Sequence, residues 1–202
     1  MSLDLDPADG DQARKTQGGV KPGQNVTVQL FVKGAPAVTG YTVRLEYDPK
    51  ALRPGSFAAG TLVPGLIGLT NPASAGVVEV GGGSLAGTTG SGDGYLGSIP
   101  FQVQEGFSKQ TYLAATQVVF RQAGGVQRTV QQRILGRLTE EEALTGDFTG
   151  DGNVNFDDFF AFAFAFGSKR GEPGFNPVFD LDNSGAVDFN DFFLFANAFG
   201  KT

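Results

Sequence analysis

Between residues 25 and 122 the chain runs in short stretches where apolar and polar positions alternate. Asn25–Lys33 (NVTVQLFVK), Thr39–Tyr47 (TGYTVRLEY), Gly76–Val80, Tyr95–Gln104 and Tyr112–Gln122 follow a period of two, the mark of a strand with one buried face. Val26, Val28, Leu30 and Val32 then share one face, and Thr27, Gln29, Phe31 and Lys33 the other. Gly, Pro and Asn punctuate the runs. Several short strands with turns between them predict a β-sandwich or jelly roll over residues 1–136. The Gly-rich stretch 81–97 leads into a strand and not a helix, so it reads as a loop or bulge and not as a phosphate cradle.

Beyond residue 146 the period changes. Asp157–Phe166 (DDFFAFAFAF) and Asn190–Phe199 (NDFFLFANAF) read as two helices of equal length, each followed by a glycine, Gly167 or Gly200, suited to a left-handed cap. Phe159, Phe162 and Phe166 form one stripe, repeated by Phe192, Phe195 and Phe199, and are expected to make the core between the repeats. Phe156, Phe160 and Phe164 lie on a different face, matched in the second repeat by Phe189, Phe193 and Asn197. A module of this size has too little volume to bury both stripes, so the second one reads as a docking surface. Residues 137–146 form a short connector, and Thr139-Glu-Glu-Glu142 has the spacing of a capping box that would begin one helical turn. Pro173 and Pro177 disfavour a helix leading into the second repeat.

Each helix is preceded by the same pattern of oxygen-bearing residues. Asp147–Asp158 reads DFTGDGNVNFDD and Asp180–Asp191 reads DLDNSGAVDFND, offset by 33 residues. A hard divalent cation takes 6–8 oxygens, and a 12-residue loop supplies them from positions 1, 3, 5, 7, 9 and 12, with glycine at 6 for the sharp turn. Both strings place oxygen side chains at 1, 3, 5 and 12, Gly152 or Gly185 at 6, and an inward-pointing valine, Val154 or Val187, at 8. Two calcium ions are therefore expected.

Charge sharpens this division. Residues 1–146 carry 12 acids and 12 bases, whereas residues 147–202 carry 9 acids against Lys169, Arg170 and Lys201. The whole net charge of −6 thus lies in the repeat module, and two divalent ions would reduce it to about −2. No basic stripe suits a nucleic acid. No apolar run is long enough to span a bilayer, so membrane insertion is not expected. No secretion-signal pattern opens the sequence, and a signal already removed leaves no trace. The absence of Cys and His excludes thiolate and imidazole chemistry. The obvious paired carboxylates are committed as metal ligands, and Glu46 and Asp48 flank Tyr47 at a strand end, so the chain is not expected to be an enzyme. An alternative is a carbohydrate-binding sandwich with a calcium-stabilised appendage. Without Trp, the aromatic platforms left to it are Tyr41, Tyr47, Tyr95, Tyr112 and the phenylalanines.

Loop then helix twice over, Asp at position 12 and no leading helix make residues 147–200 resemble a type I dockerin. Upstream, VKPGQNVTVQLFVKGAPAVTGYTVRLEYDPKAL (20–52) and DGYLGSIPFQVQ (93–104) resemble strands of a cohesin. The resemblance implies a nine-stranded jelly roll followed by a calcium-dependent dockerin that docks through its helices on a cohesin face, of the same chain or of another, outside the cell. It implies calcium ligands Asp147, Thr149, Asp151, Asn153 (carbonyl), Asn155 (directly or through water) and Asp158. In the second loop it implies Asp180, Asp182, Ser184, Ala186 (carbonyl), Asp188 (directly or through water) and Asp191. Thr149 and Ser184 stand where the family usually has Asn or Asp. Positions 10 and 11, which set partner choice, are here Phe156-Asp157 and Phe189-Asn190, and the helices are rich in Phe, so known partner preferences do not transfer.

Overall fold

A computed structural model describes residues 1–202 apart from Pro7, Asp9, Glu141, Glu142, Ala143 and Pro173. The chain divides into two compact units, Met1–Glu141 and Glu142–Thr202.

The first unit is a β-sandwich. Its strands are β1 (Ser2–Asp4), β2 (Thr16–Gln17), β3 (Asn25–Val38), β4 (Gly40–Tyr47), β5 (Leu52–Pro54), β6 (Ala58–Ala59), β7 (Leu66–Ser74), β8 (Val77–Ser84), β9 (Gly90–Val103), β10 (Gln110–Arg121) and β11 (Gln127–Thr139). One sheet has the order β1-β3-β9-β5, with β6 also on β9, and the other has the order β2-β11-β10-β4-β8-β7. Pairing is antiparallel except where β2 runs parallel to β11.

The alternation in the sequence sets which side chains turn inward. Val26, Val28, Leu30 and Val32 on β3 face Tyr41, Val43 and Leu45 on β4 within one continuous core. Tyr41 is fully buried, and its hydroxyl donates to the Leu96 carbonyl in the opposite sheet, tying the layers together. Burial pushes that phenol up to about 12. Near the N-terminus the buried Asp4 carboxylate accepts backbone N–H bonds from Asp6 (2.9 Å), Gln12 and Arg14 (3.2 Å), closing a loop. Burial raises the pKa of that carboxyl.

Three sequence expectations are corrected here. The Gly-rich stretch 81–97 is largely strand, since Gly81–Ser84 end β8 and Gly90–Gly97 open β9. Glycine is required there by close approach: a Cβ on Gly82 would lie 1.8 Å from the Ile67 carbonyl oxygen, and one on Gly90 1.6 Å from that of Leu62. The sandwich also runs past residue 136, because β11 pairs with β10 through Thr139↔Gln110. Thr139 therefore ends a strand and does not start a helical turn; Glu141 and Glu142 lie outside the described residues.

The second unit holds α1 (Phe156–Ala165) and α2 (Phe189–Ala198), with a short 3₁₀ turn at Pro177–Phe179 before the second loop. Pro177 starts that turn, where a missing N–H costs nothing. Asn155 and Asp188 cap the helices in capping boxes closed by Asp158 and Asp191. Gly167 and Gly200 follow the helices at φ of +87° and +83°.

The two repeats are interlocked. Val154 of the first loop packs with Phe195 and Ala198 of α2, and Val187 of the second loop packs with Phe162 and Ala165 of α1. Backbone bonds follow the same exchange. Val154 donates to Lys201 (2.9 Å) and accepts from Gly200 (2.8 Å), while Val187 donates to Ser168 (2.9 Å) and accepts from Gly167 (2.8 Å). Phe162 and Phe195 stack between the repeats with centroids 5.8 Å apart and planes within 6°. Phe148 adds to this core, 6.1 Å from Phe162, 4.7 Å from Phe179 and 5.8 Å from Phe195.

Candidate metal centres and interaction surface

Each loop folds its acidic side chains toward one point. In the first, carboxylate oxygens of Asp147, Asp151 and Asp158 lie within 4.8 Å of one another. In the second, those of Asp180, Asp182 and Asp191 do so. Backbone N–H groups hold these carboxylates in place. Gly150 (2.7 Å) and Asp151 (3.1 Å) donate to Asp147 Oδ1, and Gly152 donates to Oδ2 (2.9 Å). Asp158 accepts from Thr149 and Asn155, each at 2.9 Å. Its counterpart Asp191 accepts from Leu181 (2.7 Å), Asp182 (3.1 Å) and Asp188 (2.8 Å). Asp180 accepts from Gly185 at 2.9 Å. Gly152 and Gly185 make the turn at φ of +88° and +92°.

The remaining oxygens expected as ligands are placed as follows. Thr149 Oγ1 lies 3.5 Å from Asp147 Oδ1. Ser184 Oγ lies 3.5 Å from Asp180 Oδ1 and donates to the Ala186 carbonyl at 3.2 Å, which brings positions 5 and 7 together. Asn153 donates its backbone N–H to Asp151 Oδ1 (2.8 Å). The two position-9 side chains turn to the helix ends. Asn155 Oδ1 accepts from Asp157 N–H (2.7 Å) and Asp188 Oδ1 from Asn190 N–H (2.8 Å). The Ser184 backbone N–H, helped by its hydroxyl, holds the exposed Asp182 carboxyl below the usual range.

This arrangement fits a cation. Asp158 and Asp191 are completely buried and Asp180 is 3% exposed. Buried like charges this close repel strongly unless a positive charge or protons compensate them. Among the described residues no ion pair reaches Asp147, Asp151 or Asp158. The second loop differs, because Arg170 Nη2 lies 3.7 Å from Asp180 Oδ2. Arg170 escaped the sequence reading: it sits in a link of Gly and Pro, and no motif position marks it.

The helices carry the second feature. Phe160 and Phe193 are 62% and 61% exposed and Phe164 is 99% exposed, so this stripe faces outward. Phe156 and Phe189 are also exposed, but each meets a phenylalanine of the other repeat edge to face, Phe199 at 5.2 Å and Phe166 at 5.1 Å. Phe166 and Phe199, expected in the core, are 42% and 43% exposed. They sit at the helix ends as half-exposed partners of Phe189 and Phe156 across the repeats, and the buried stripe reduces to Phe162 and Phe195, with Phe159 and Phe192 partly buried beside them.

A family model for the cohesin domain matches residues 13–139, more than half of the chain. The chain belongs to the cohesin family. A solved structure agrees on the fold, and two others are similar in part. A cohesin module from a Clostridium perfringens family 33 glycoside hydrolase aligns at 15% identity over 62% of this chain and 90% of its own, with a TM-score of 0.50. A non-cellulosomal cohesin from Archaeoglobus fulgidus aligns at 20% identity over 62% and 86%, with a TM-score of 0.47. The sixth cohesin of Acetivibrio cellulolyticus scaffoldin B, solved in complex with a dockerin, aligns at 20% identity over 62% and 94%, with a TM-score of 0.48. No curated protein sequence matches the chain.

As a cohesin, the sandwich is an interaction module and not a catalytic one. Its candidate carboxylates have structural roles. Glu46 pairs with Arg133 at 2.9 Å, and Asp48 accepts the Lys50 N–H at 2.9 Å in the turn after β4. Glu46, Tyr47, Tyr112, Arg133 and Leu135 line a shallow pocket on the cohesin surface. Of the tyrosines, Tyr41 is buried and Tyr95 packs on Phe31, whereas Tyr47, packed on Phe101, and the exposed Tyr112 both line this pocket. No helix among the described residues is long and apolar enough to cross a membrane.

Proposed function

We propose that this chain is a non-enzymatic, calcium-dependent assembly protein, in which residues 147–202 act as a dockerin-like module for a cohesin face, in the first instance that of the same chain. The observation that carries this reading is that the metal cages and the exposed Phe160 and Phe164 stripe are built on the same helices, since Asp158 and Asp191 close the capping boxes of α1 and α2. Two calcium ions, held by Asp147, Thr149, Asp151, Asn153, Asn155 and Asp158 and by Asp180, Asp182, Ser184, Ala186, Asp188 and Asp191, would supply the positive charge that the buried carboxylates lack. The ions are structural in this role. They fix the loops, the loops fix the helices, and the helices present the phenylalanines. Extracellular calcium modules bind at about 10⁻⁴–10⁻³ M, which suits an assembly protein working outside the cell.

The connector between β11 and Asp147 is short, so the module meets its own cohesin at an effective concentration of about millimolar order where geometry permits. The first repeat dominates the contact, because Phe164 is an apolar anchor where the second repeat has Asn197. The test is to produce residues 1–141 and 142–202 as separate chains. They associate in calcium and part in chelator. Phe160→Asp abolishes the association by placing a charge in an apolar contact, and Phe193→Asp weakens it less. Halves that ignore one another in calcium at high micromolar concentration leave only docking to an outside cohesin. An exchanged dimer keeps the contact but refutes its intramolecular form.

A further inference from the structure

The two loops are not equivalent: their carboxylates stand at different positions, and Arg170 faces the second alone among the described residues. Its backbone N–H donates to the Gly185 carbonyl at 2.8 Å, next to a bridge between Lys169 and Ala186. Its side chain lies over the turn of the second loop: a Cβ placed on Gly185 would meet Arg170 Cβ and Nε at 3.9 Å. From there the guanidinium reaches to 3.7 Å from Asp180 Oδ2. The Asp180 side chain is completely buried, whereas that of Arg170 is 67% exposed. A solvated cation is thus tethered at the backbone to a loop whose position-1 carboxylate it faces. The first loop has no such partner among the described residues. Its Asp147 is held by the N–H groups of Gly150, Asp151 and Gly152.

We infer that Arg170 is a tethered counter-cation of the second loop, competing with calcium for Asp180 and setting the affinity of that site; this rests on the calcium reading above. Before loading, the guanidinium offsets part of the repulsion among Asp180, Asp182 and Asp191. On loading it becomes a like charge beside a divalent ion and is displaced toward solvent. The separation is too long for a hydrogen bond, so the effect is electrostatic and sensitive to salt over a Debye length of about 8 Å. A guanidinium is always charged, so the competition persists at any physiological pH.

The experiment is a calcium titration of the full chain by calorimetry, as wild type, Arg170→Gln and Arg170→Lys, each also with Asp180→Ala. Arg170→Gln tightens one of two sites by about 1.4- to 5-fold, the range expected for one partly exposed charge. Raising the salt narrows that gain. Arg170→Lys, which keeps the charge, stays near wild type, and with Asp180→Ala the Arg170→Gln gain vanishes. A gain of affinity cannot come from damaged folding, so the direction itself discriminates. Two bound ions with no tightening in Arg170→Gln would overturn this inference and leave the functional reading standing. So would a gain that survives Asp180→Ala. A wild-type chain that takes up no calcium would overturn both.

Discussion

The cohesin sandwich and the two-repeat module achieve order by opposite means. In the sandwich, one continuous apolar core runs between two sheets, and the surface ion pairs Arg14–Asp6, Arg44–Glu79 and Arg133–Glu46 are peripheral. In the module, the buried apolar residues form two clusters, Val154-Phe195-Ala198 and Val187-Phe162-Ala165, around carboxylates that are themselves buried. The sandwich is therefore complete with protein atoms alone. The module combines a small core with clustered, buried carboxylates that Arg170 offsets only at Asp180, and under the proposed function its folding is tied to the bound cations. Because each loop valine packs on the helix of the other repeat, the two repeats form one cooperative unit.

Core truncation separates the two regions most sharply. Phe195→Ala removes a side chain that stacks on Phe148 and Phe162, at a cost of about 3–5 kcal/mol. For so small a module this is enough to unfold it even in saturating calcium. Leu45→Ala in the sandwich core costs a comparable about 2–5 kcal/mol, yet leaves the larger core folded. Thermal unfolding followed by circular dichroism should show the helical transition lost in the first variant, and the β transition shifted but present in the second.

Glycine substitutions distinguish the two regions differently. Gly90 is held by close approach of the Leu62 carbonyl, so Gly90→Ala costs about 3 kcal/mol or more. Gly167 has open space around it and a left-handed φ of +87°, so Gly167→Ala costs only about 1–2 kcal/mol. Equal losses in chemical denaturation would remove the distinction. The smallest effect is confined to alkaline solution. Tyr41 has a folded pKa raised to about 12 from an ordinary value of 10.0. The neutral phenol is thus favoured by folding, and its contribution is complete below pH 10 and lost as pH rises toward 12. Tyr41→Phe should flatten that part of the sandwich's pH–stability curve, at a cost near neutral pH of about 1 kcal/mol for the lost bond to Leu96.

The parts of the molecule that were legible in the sequence follow the same division. Strands β3, β4, β8, β9 and β10 were visible because each turns one face to a core and one to water. β11 was not, because much of Gln127–Gln132 is exposed and carries no alternation. β7 was hidden by Asn71 and Pro72 at a sheet edge. Only the glycine-rich parts of β8 and β9, residues 81–84 and 90–94, were masked, because glycine has no side chain to alternate. In the module, the helices were legible to within one residue, since position 12 of each loop also closes a capping box. The interlocking of the repeats was not, because the contacts between Val154 and α2 and between Val187 and α1 cross a 33-residue offset that local periodicity does not see. Phe148 and Phe179 entered the core for the same reason.

The measurement that bears most directly on the contrast is calcium withdrawal from the full chain, followed by far-UV circular dichroism together with amide hydrogen exchange. Chelation should remove the helical signal and the exchange protection of α1 and α2, while the amides of β3, β4, β9 and β10 stay protected, and added calcium should restore the helices. Helices that remain fully formed and protected in chelator, unchanged on adding calcium, would contradict the account.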